Sequence, residues 1–295
     1  MTRAAKNMAA SVRARLLTLH EKSGDDYNVL LVRYVLERFL YRLGRSPHRK
    51  NFVLKGAMLF SLWGGATYRA TRDLDLLGFG DDGAEAVAKA LREVCKTAVD
   101  DDGVTFDAAS VQSEVIRTID EYGGVRVTLT ASVGTAVIPV QVDVGFGDAI
   151  TPAPEEVQYP TLLGGPVPEV RAYARETVVA EKLEAIVKLG MLNTRYKDYF
   201  DLAFIATNFD VNDKLLTEAI RNTFARRKRP LPVELPIGLS DEFGAGPGKG
   251  TQWLAFCKKS RVPEPHPGLA DVVAQVRTFA WPLLRAAVAP LRSGR

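Results

Sequence analysis

Three runs of strand-forming residues, roughly Val111 to Ile119, Val125 to Ser132 and Ala136 to Val144, follow one another with only Gly123-Gly124 and Gly134 as punctuation. Glycine at such short connections marks hairpins, so an antiparallel component is expected. In Val140-Gln141-Val142-Asp143-Val144 the valines alternate onto one face and leave Asp143 on the other. An ionised carboxylate on a central strand is costly without a partner. Asp143 therefore either faces solvent from a half-exposed strand or belongs to a charged group. Upstream, Phe52 to Leu54 reads as a short strand that stops at Gly56, and Ala57 to Trp63 is helix-compatible. Leu74 to Phe79 reads as a further strand, and Ala84 to Ala98 as a helix with Ala86, Val87, Ala90, Leu91 and Val94 on one face. The first half is thus α/β.

Two helices are expected before this region. One contains Leu16, Leu17 and Leu19; the next runs from Tyr27, after Asp25 and Asp26, and is closed by Gly44. Prolines and glycines cluster between Thr151 and Pro168 without periodic pattern, which predicts a long connection and a domain boundary there, dividing 1–150 from 151–295. The second part is helical over Thr177 to Gly190, Asp198 to Asn208, Asn212 to Arg227, Gln252 to Lys259 and Gly268 to Leu284. A stretch rich in proline and glycine from Pro230 to Gly250 interrupts it.

Composition removes several function classes. With 46% hydrophobic and 25% charged residues the chain has globular proportions. No apolar stretch approaches the roughly 18 to 20 residues that span a bilayer. The segment from Met1 to Leu19 carries Arg3, Lys6, Arg13 and Arg15 but no continuous apolar core, so it reads as a helix rather than a secretory signal. Cys95 and Cys257 fall inside helical apolar patterns and read as buried thiols in a reducing cytoplasm. His20, His48 and His266 have no Cys or His neighbours at ligand spacing, and no Gly-x-x-x-x-Gly-Lys-Ser/Thr sequence occurs. The net charge of +4 conceals a division: Asp81 to Glu121 holds eleven acidic against four basic residues, whereas Arg221 to Val262 holds nine basic against three acidic. The run Arg226, Arg227, Lys228, Arg229 in the latter is either a solvated face or a surface for nucleic-acid phosphates.

The most informative residues are Asp73 and Asp75 in Thr-Arg-Asp-Leu-Asp-Leu-Leu. Residues i and i+2 of a strand share a face with Cα atoms roughly 6.5 to 7 Å apart, so the two carboxylates project together while Leu74 and Leu76 enter the core. Like charges so placed repel unless a cation or solvent separates them. Two Mg²⁺ ions bridged by these oxygens and a triphosphate would use that geometry for in-line displacement at phosphorus. The alternative is a polar strand edge. Lys55-Gly56-Ala57, 16 residues before Asp73, is a glycine turn between strand and helix, where backbone N–H groups can approach an anion.

Taken together, Leu54-Lys55-Gly56-Ala57-Met58-Leu59, Arg69-Ala70-Thr71-Arg72-Asp73-Leu74-Asp75-Leu76 and Val142-Asp143-Val144-Gly145-Phe146-Gly147-Asp148 resemble the AbiEii/MenT-type nucleotidyltransferase toxins. The stretches Glu176-Thr177-Val178-Val179-Ala180-Glu181-Lys182-Leu183-Glu184-Ala185 and Arg195-Tyr196-Lys197-Asp198-Tyr199-Phe200-Asp201-Leu202 strengthen the match, which covers about residues 50 to 205. The resemblance implies an α/β (α+β) fold: a DNA polymerase β-like nucleotidyltransferase core with a mixed sheet and N-terminal helices, followed by a helical C-terminal region completing the active site. It implies transfer of a nucleotide from an NTP to RNA, the tRNA 3′ end in some relatives, which blocks translation in type IV toxin–antitoxin or abortive-infection systems. A cognate antitoxin encoded nearby and Mg²⁺ or Mn²⁺ are implied with it.

By the same resemblance Asp73 and Asp75 hold the metals and Lys182 contacts nucleotide phosphates; if the strand of Asp143 neighbours theirs, Asp143 joins them as a third metal carboxylate. Asp198 acts near the nucleotide or acceptor. A point-charge lysine suits an anionic phosphoryl group, whereas Lys182 and Asp198 could also be a plain surface pair. Many members have Gly-Ser or Gly-Gly where this chain has Gly56-Ala57, so Lys55, Gly56 and their backbone must serve the triphosphate, with Thr71 able to supply a hydroxyl. Arg226, Arg227 and Arg229 are expected to track RNA phosphates. Two other classes remain: a glycosyltransferase using Asp-x-Asp with Mn²⁺ and a nucleotide sugar, and a non-catalytic RNA-binding regulator.

Overall fold

The computed structural model describes residues 7–64, 71–116, 123–262 and 264–289. Arg3, Lys6, Arg69, Ala70 and residues 117–119 of the sequence reading lie outside them. The chain forms two compact units, one of residues 1–147 and 155–172 and one of 148–154 and 173–295, so it passes between units more than once rather than dividing at a single point near 150.

The first unit contains α1 (Met8–Ser23), α2 (Tyr27–Arg45), β1 (Phe52–Lys55), α3 (Leu59–Gly64), β2 (Asp73–Gly78), α4 (Ala84–Cys95), β3 (Thr105–Ile116), β4 (Gly124–Val133), β5 (Ala136–Phe146), β6 (Glu155–Gln158) and β7 (Glu169–Ala172). The strands make one mixed sheet in the order β3-β4-β5-β2-β1-β7-β6. Pairing is parallel at β2–β5 and β1–β7 and antiparallel elsewhere. On the inner face Leu74, Leu76, Val127 and Val142 are fully buried, as are Val35, Leu36, Phe39 and Leu40 of α2. Helix α2 packs on β5 and β7, and α4 on β3 and β4. The carboxylate of Asp26 caps α2 by accepting from the Val29 N–H at 3.1 Å. Within the acidic stretch, Asp102 is buried and takes a two-pronged ion pair from Arg42, at 2.7 and 3.0 Å, so this charge ties the segment after α4 to α2.

Two expectations fail here for identifiable reasons. Gly44 does not close α2 but lies inside it: a Cβ there would fall 2.3 Å from the Glu169 carbonyl oxygen, so the glycine allows the helix to lie against β7. The stretch from Thr151 to Pro168 is not merely a connection, because β6 lies within it and pairs with β7, which extends the sheet beyond β1. Each of these strands is four residues long, too short for a periodic signal; β6 pairs with β7 close by in the chain, and β7 meets β1 at Leu54, far earlier in the chain.

The second unit contains α5 (Arg175–Leu189), α6 (Tyr196–Asn208), α7 (Asp213–Arg226), the single turn α8 (Asp241–Gly244), α9 (Lys249–Ser260) and α10 (Leu269–Val288). Helices α5 and α7 pack together, and α10 lies against α6, α7 and α8. The Tyr199 and Phe243 rings stack at 5.1 Å, and the Tyr199 hydroxyl donates to the Gly238 carbonyl at 2.8 Å. Residues 148–154 belong here because Thr177 accepts from the Thr151 N–H and donates to its carbonyl, at 3.1 and 2.8 Å. Among the described residues no helix is long and apolar enough to cross a membrane.

Candidate active site

The two-residue period of β2 sends Leu74 and Leu76 into the core and leaves Asp73 and Asp75 half-buried on the other face. Parallel pairing with β5 then sets Asp75 beside Asp143 and Asp73 beside Gln141. Asp73, Asp75 and Asp143 each bring a carboxylate oxygen to within 4.8 Å of the others. Among the described residues this is the one such group of His, Cys, Asp or Glu side chains.

The register extends the arrangement across five strands. Lys55 of β1 stands opposite Asp75, Asp75 opposite Asp143, Asp143 opposite Arg126 of β4, and Arg126 opposite Glu114 of β3. The Arg126 guanidinium grips Asp143 through Nε and Nη2, both at 2.9 Å, and Gln141 adds Nε2 at 3.1 and 3.3 Å. The hydrogen bond to Asp143 holds the Arg126 pKa above its ordinary value. Arg126 and Gln141 escaped the sequence reading, because the alternation of β4 puts Arg126 on the polar face but cannot say which strand it will meet.

Gly56 has a role beyond offering its N–H. Its φ is +73°, and a Cβ built there would lie 2.0 Å from the Asp75 Oδ2 and 2.7 Å from the Asp75 Cβ. The glycine therefore makes the space in which the second carboxylate stands. Thr71 does not keep its hydroxyl for phosphate: Oγ1 donates to Asp73 Oδ1 at 2.6 Å and so orients that carboxylate. Thr71 precedes β2 rather than forming part of it. Three hard oxygen donors converging in this way suit Mg²⁺ or Mn²⁺ and do not suit a soft metal.

In the helical unit, Lys182 of α5 reaches Asp198 Oδ1 and Asp201 Oδ2 of α6, both at 2.8 Å. Arg195, at the start of α6, donates Nε to Asp198 Oδ2 at 2.6 Å. Asp198 has no exposed surface and Lys182 retains 13%, so these residues form a buried network and not the surface pair of the alternative reading. Burial raises the Asp198 pKa, but Lys182 and Arg195 outweigh it and hold the carboxyl at about 2.

The basic run after α7 is also largely engaged. Arg227 donates Nη1 to Glu184 Oε2 at 2.6 Å and Nη2 to Asp148 Oδ1 at 3.2 Å, and Arg229 Nε donates to the other Glu184 oxygen. Glu184 is buried at 1% exposure, so Arg227 and Arg229 neutralise an interior carboxylate instead of presenting a free phosphate-binding face. Arg226 is exposed. Glu184 and Asp201 lie in the two stretches that strengthen the family match but were given no role of their own, because each is an ordinary helical carboxylate until a partner folds onto it.

The family model for the nucleotidyl transferase AbiEii toxin of type IV toxin–antitoxin systems matches residues 38–276. A crystal structure of a Helicobacter pylori protein assigned as a nucleotidyltransferase is similar in fold, with a TM-score of 0.52 at 14% identity, covering 89% of this chain and 97% of that one. A second H. pylori structure, JHP933, gives 0.50 at 14% identity and covers 89% and 94%. No curated protein matches the chain.

Proposed function

Because the chain belongs to the AbiEii nucleotidyltransferase toxin family, we propose that it transfers a nucleotide from an NTP to RNA with Mg²⁺ or Mn²⁺, and that the acceptor is the tRNA 3′ end. Modifying that end blocks aminoacylation and translation, and a cognate antitoxin encoded nearby is the partner. The observation that carries the metal-dependent reading is the convergence of Asp73, Asp75 and Asp143 beside a glycine whose missing side chain makes room for one of them. A bound divalent cation supplies Lewis-acid neutralisation of the phosphoryl oxygens.

The chain's own residues prepare that chemistry. Thr71 fixes Asp73, Arg126 and Gln141 fix Asp143, and Gly56 leaves Asp75 its space. Lys55, opposite Asp75 in the register, and the backbone at Gly56 are proposed to receive the triphosphate. In the reaction the acceptor hydroxyl oxygen bonds to the α-phosphorus, the bond from that phosphorus to the pyrophosphate oxygen breaks, and the hydroxyl proton is released. Lys182 is proposed to contact nucleotide phosphates. Asp198, wholly buried, is proposed to act through Lys182 and Arg195 rather than by touching substrate. Arg226 keeps the proposed RNA role; Arg227 and Arg229 serve it only by supporting the fold around Glu184.

The test is incubation with each α-labelled NTP, Mg²⁺ and total RNA. Label should enter RNA with release of pyrophosphate, and EDTA should stop it. Asp73→Ala and Asp75→Ala should lower transfer by orders of magnitude with the circular dichroism spectrum unchanged, since half-buried site carboxylates are rarely stability determinants. Wild-type turnover in either variant would overturn the metal assignment. Sugar transfer would identify the glycosyltransferase reading instead, and RNA binding alone the regulator.

A further inference from the structure

The carboxylate row has two unlike ends. Toward β1 stand Lys55 and Gly56; toward β4 stands Arg126. Arg126 uses Nε and Nη2 on Asp143, its Nη1 makes no hydrogen bond among the described residues, and 35% of its side chain is exposed. Beyond it the same face of the sheet continues as an open polar ledge. Gln112 and Glu114 of β3 and Thr128 of β4 are exposed there, while Val125, Val127 and Leu129 fill the opposite face. Glu114, next after Arg126 in the row, marks where the favourable potential for an anion ends.

In-line displacement places the entering and leaving oxygens on opposite sides of the phosphorus under attack. If the triphosphate lies toward Lys55 and Gly56, pyrophosphate departs on the β1 side and the attacking hydroxyl must come from the β4 side. We infer that Arg126 is an acceptor-binding residue, which Asp143 holds in place while Nη1 binds a phosphate of the RNA strand lying along the β3–β5 ledge. This deepens the nucleotidyltransferase reading above and rests on it. An arginine suits the double duty because its planar fork can take one anion along one edge and another at the remaining nitrogen, which a lysine cannot do.

The experiment is steady-state transfer of labelled nucleotide to tRNA by the full chain, from 50 to 200 mM KCl, for wild type, Arg126→Gln, Arg126→Lys and Thr128→Glu. Losing one charge-assisted phosphate contact should raise the RNA KM of Arg126→Gln by roughly 10- to 100-fold. It should also reduce the salt slope of log KM by about 0.7, with the NTP KM unchanged. Arg126→Lys keeps the charge but cannot hold Asp143 and a phosphate together, so it should rescue neither the RNA KM nor the slope. Thr128→Glu, a surface change that does not depend on the ion pair, should raise the RNA KM with kcat held. A fall in kcat of Arg126→Gln with RNA KM and slope unmoved would make Arg126 only a positioning residue for Asp143 and overturn the inference. So would an unchanged RNA KM in Thr128→Glu, or a rise in NTP KM in its place. A wild-type enzyme that labels no RNA at all refutes the underlying reading, and that result is seen before any variant is compared.

Discussion

Gly56→Ala is the substitution whose consequences the structure specifies most closely. At φ +73° a Cβ brings a backbone penalty of about 1–2 kcal/mol. The same atom would stand 2.0 Å from the Asp75 Oδ2, where ordinary contact begins near 3.4 Å, so the carboxylate must move by more than 1 Å or β1 and β2 must part. Overpacking of this kind costs roughly 1–3 kcal/mol, which makes the whole effect about 2–5 kcal/mol. A misplacement of that size at a reacting centre lowers rate by about 100-fold. The two contributions separate in a double-mutant cycle measured by equilibrium urea unfolding. In an Asp75→Gly background the obstructing side chain is gone and only the backbone penalty remains, so the coupling energy should be about 1–3 kcal/mol. Nucleotide transfer measured on the single variant completes the test. A coupling near zero together with wild-type transfer would refute the claim that Gly56 exists to seat Asp75.

The buried charges give two further expectations. Arg227→Glu should destabilise the chain by roughly 3–5 kcal/mol, because it removes one of the two arginines on a buried Glu184 and sets a like charge against it, whereas Arg226→Glu, at an exposed position, should cost less. Urea unfolding of both variants checks this, and equal stability would show the Arg227 pair to be a surface one. The second concerns acid. The folded pKa of Asp198 lies below its ordinary value of 3.8, so its stabilisation is fully present above about pH 4 and is lost as pH falls through about 2. Asp198→Asn should therefore lose less stability than wild type between pH 4 and 2, by about 2 kcal/mol, and parallel curves would contradict the assigned pairing. For Lys182 the informative change is to Arg, since Ala would leave Asp198 and Asp201 buried without their lysine. Reduced NTP use at intact stability is the expected result, and unchanged nucleotide affinity and rate would remove Lys182 from phosphate binding.

Local pattern was enough for much of this molecule. The alternation around Leu74 and Leu76 requires Asp73 and Asp75 to share a face whatever they pair with, and the valines of Val140 to Val144 do the same for Asp143. The glycine after β1 and the motif order carried the nucleotidyltransferase family, and helix periods placed most of the helices to within a few residues. Contacts between remote segments could not be read in this way. Strands β6 and β7 are defined by partners and not by their own four residues, and Gly44 serves a close approach to Glu169 although its local signature is that of a helix stop. The three carboxylates were separately visible, but register alone put Asp143 beside Asp75 and Arg126 beside Asp143. The same holds for charge: Arg226, Arg227 and Arg229 are alike in sequence, and only folding brings the buried Glu184 to the second and third of them. A side chain's direction is set by its own strand or helix within a few residues, whereas its partner, and with it the work its charge can do, is set by which distant segment packs across from it.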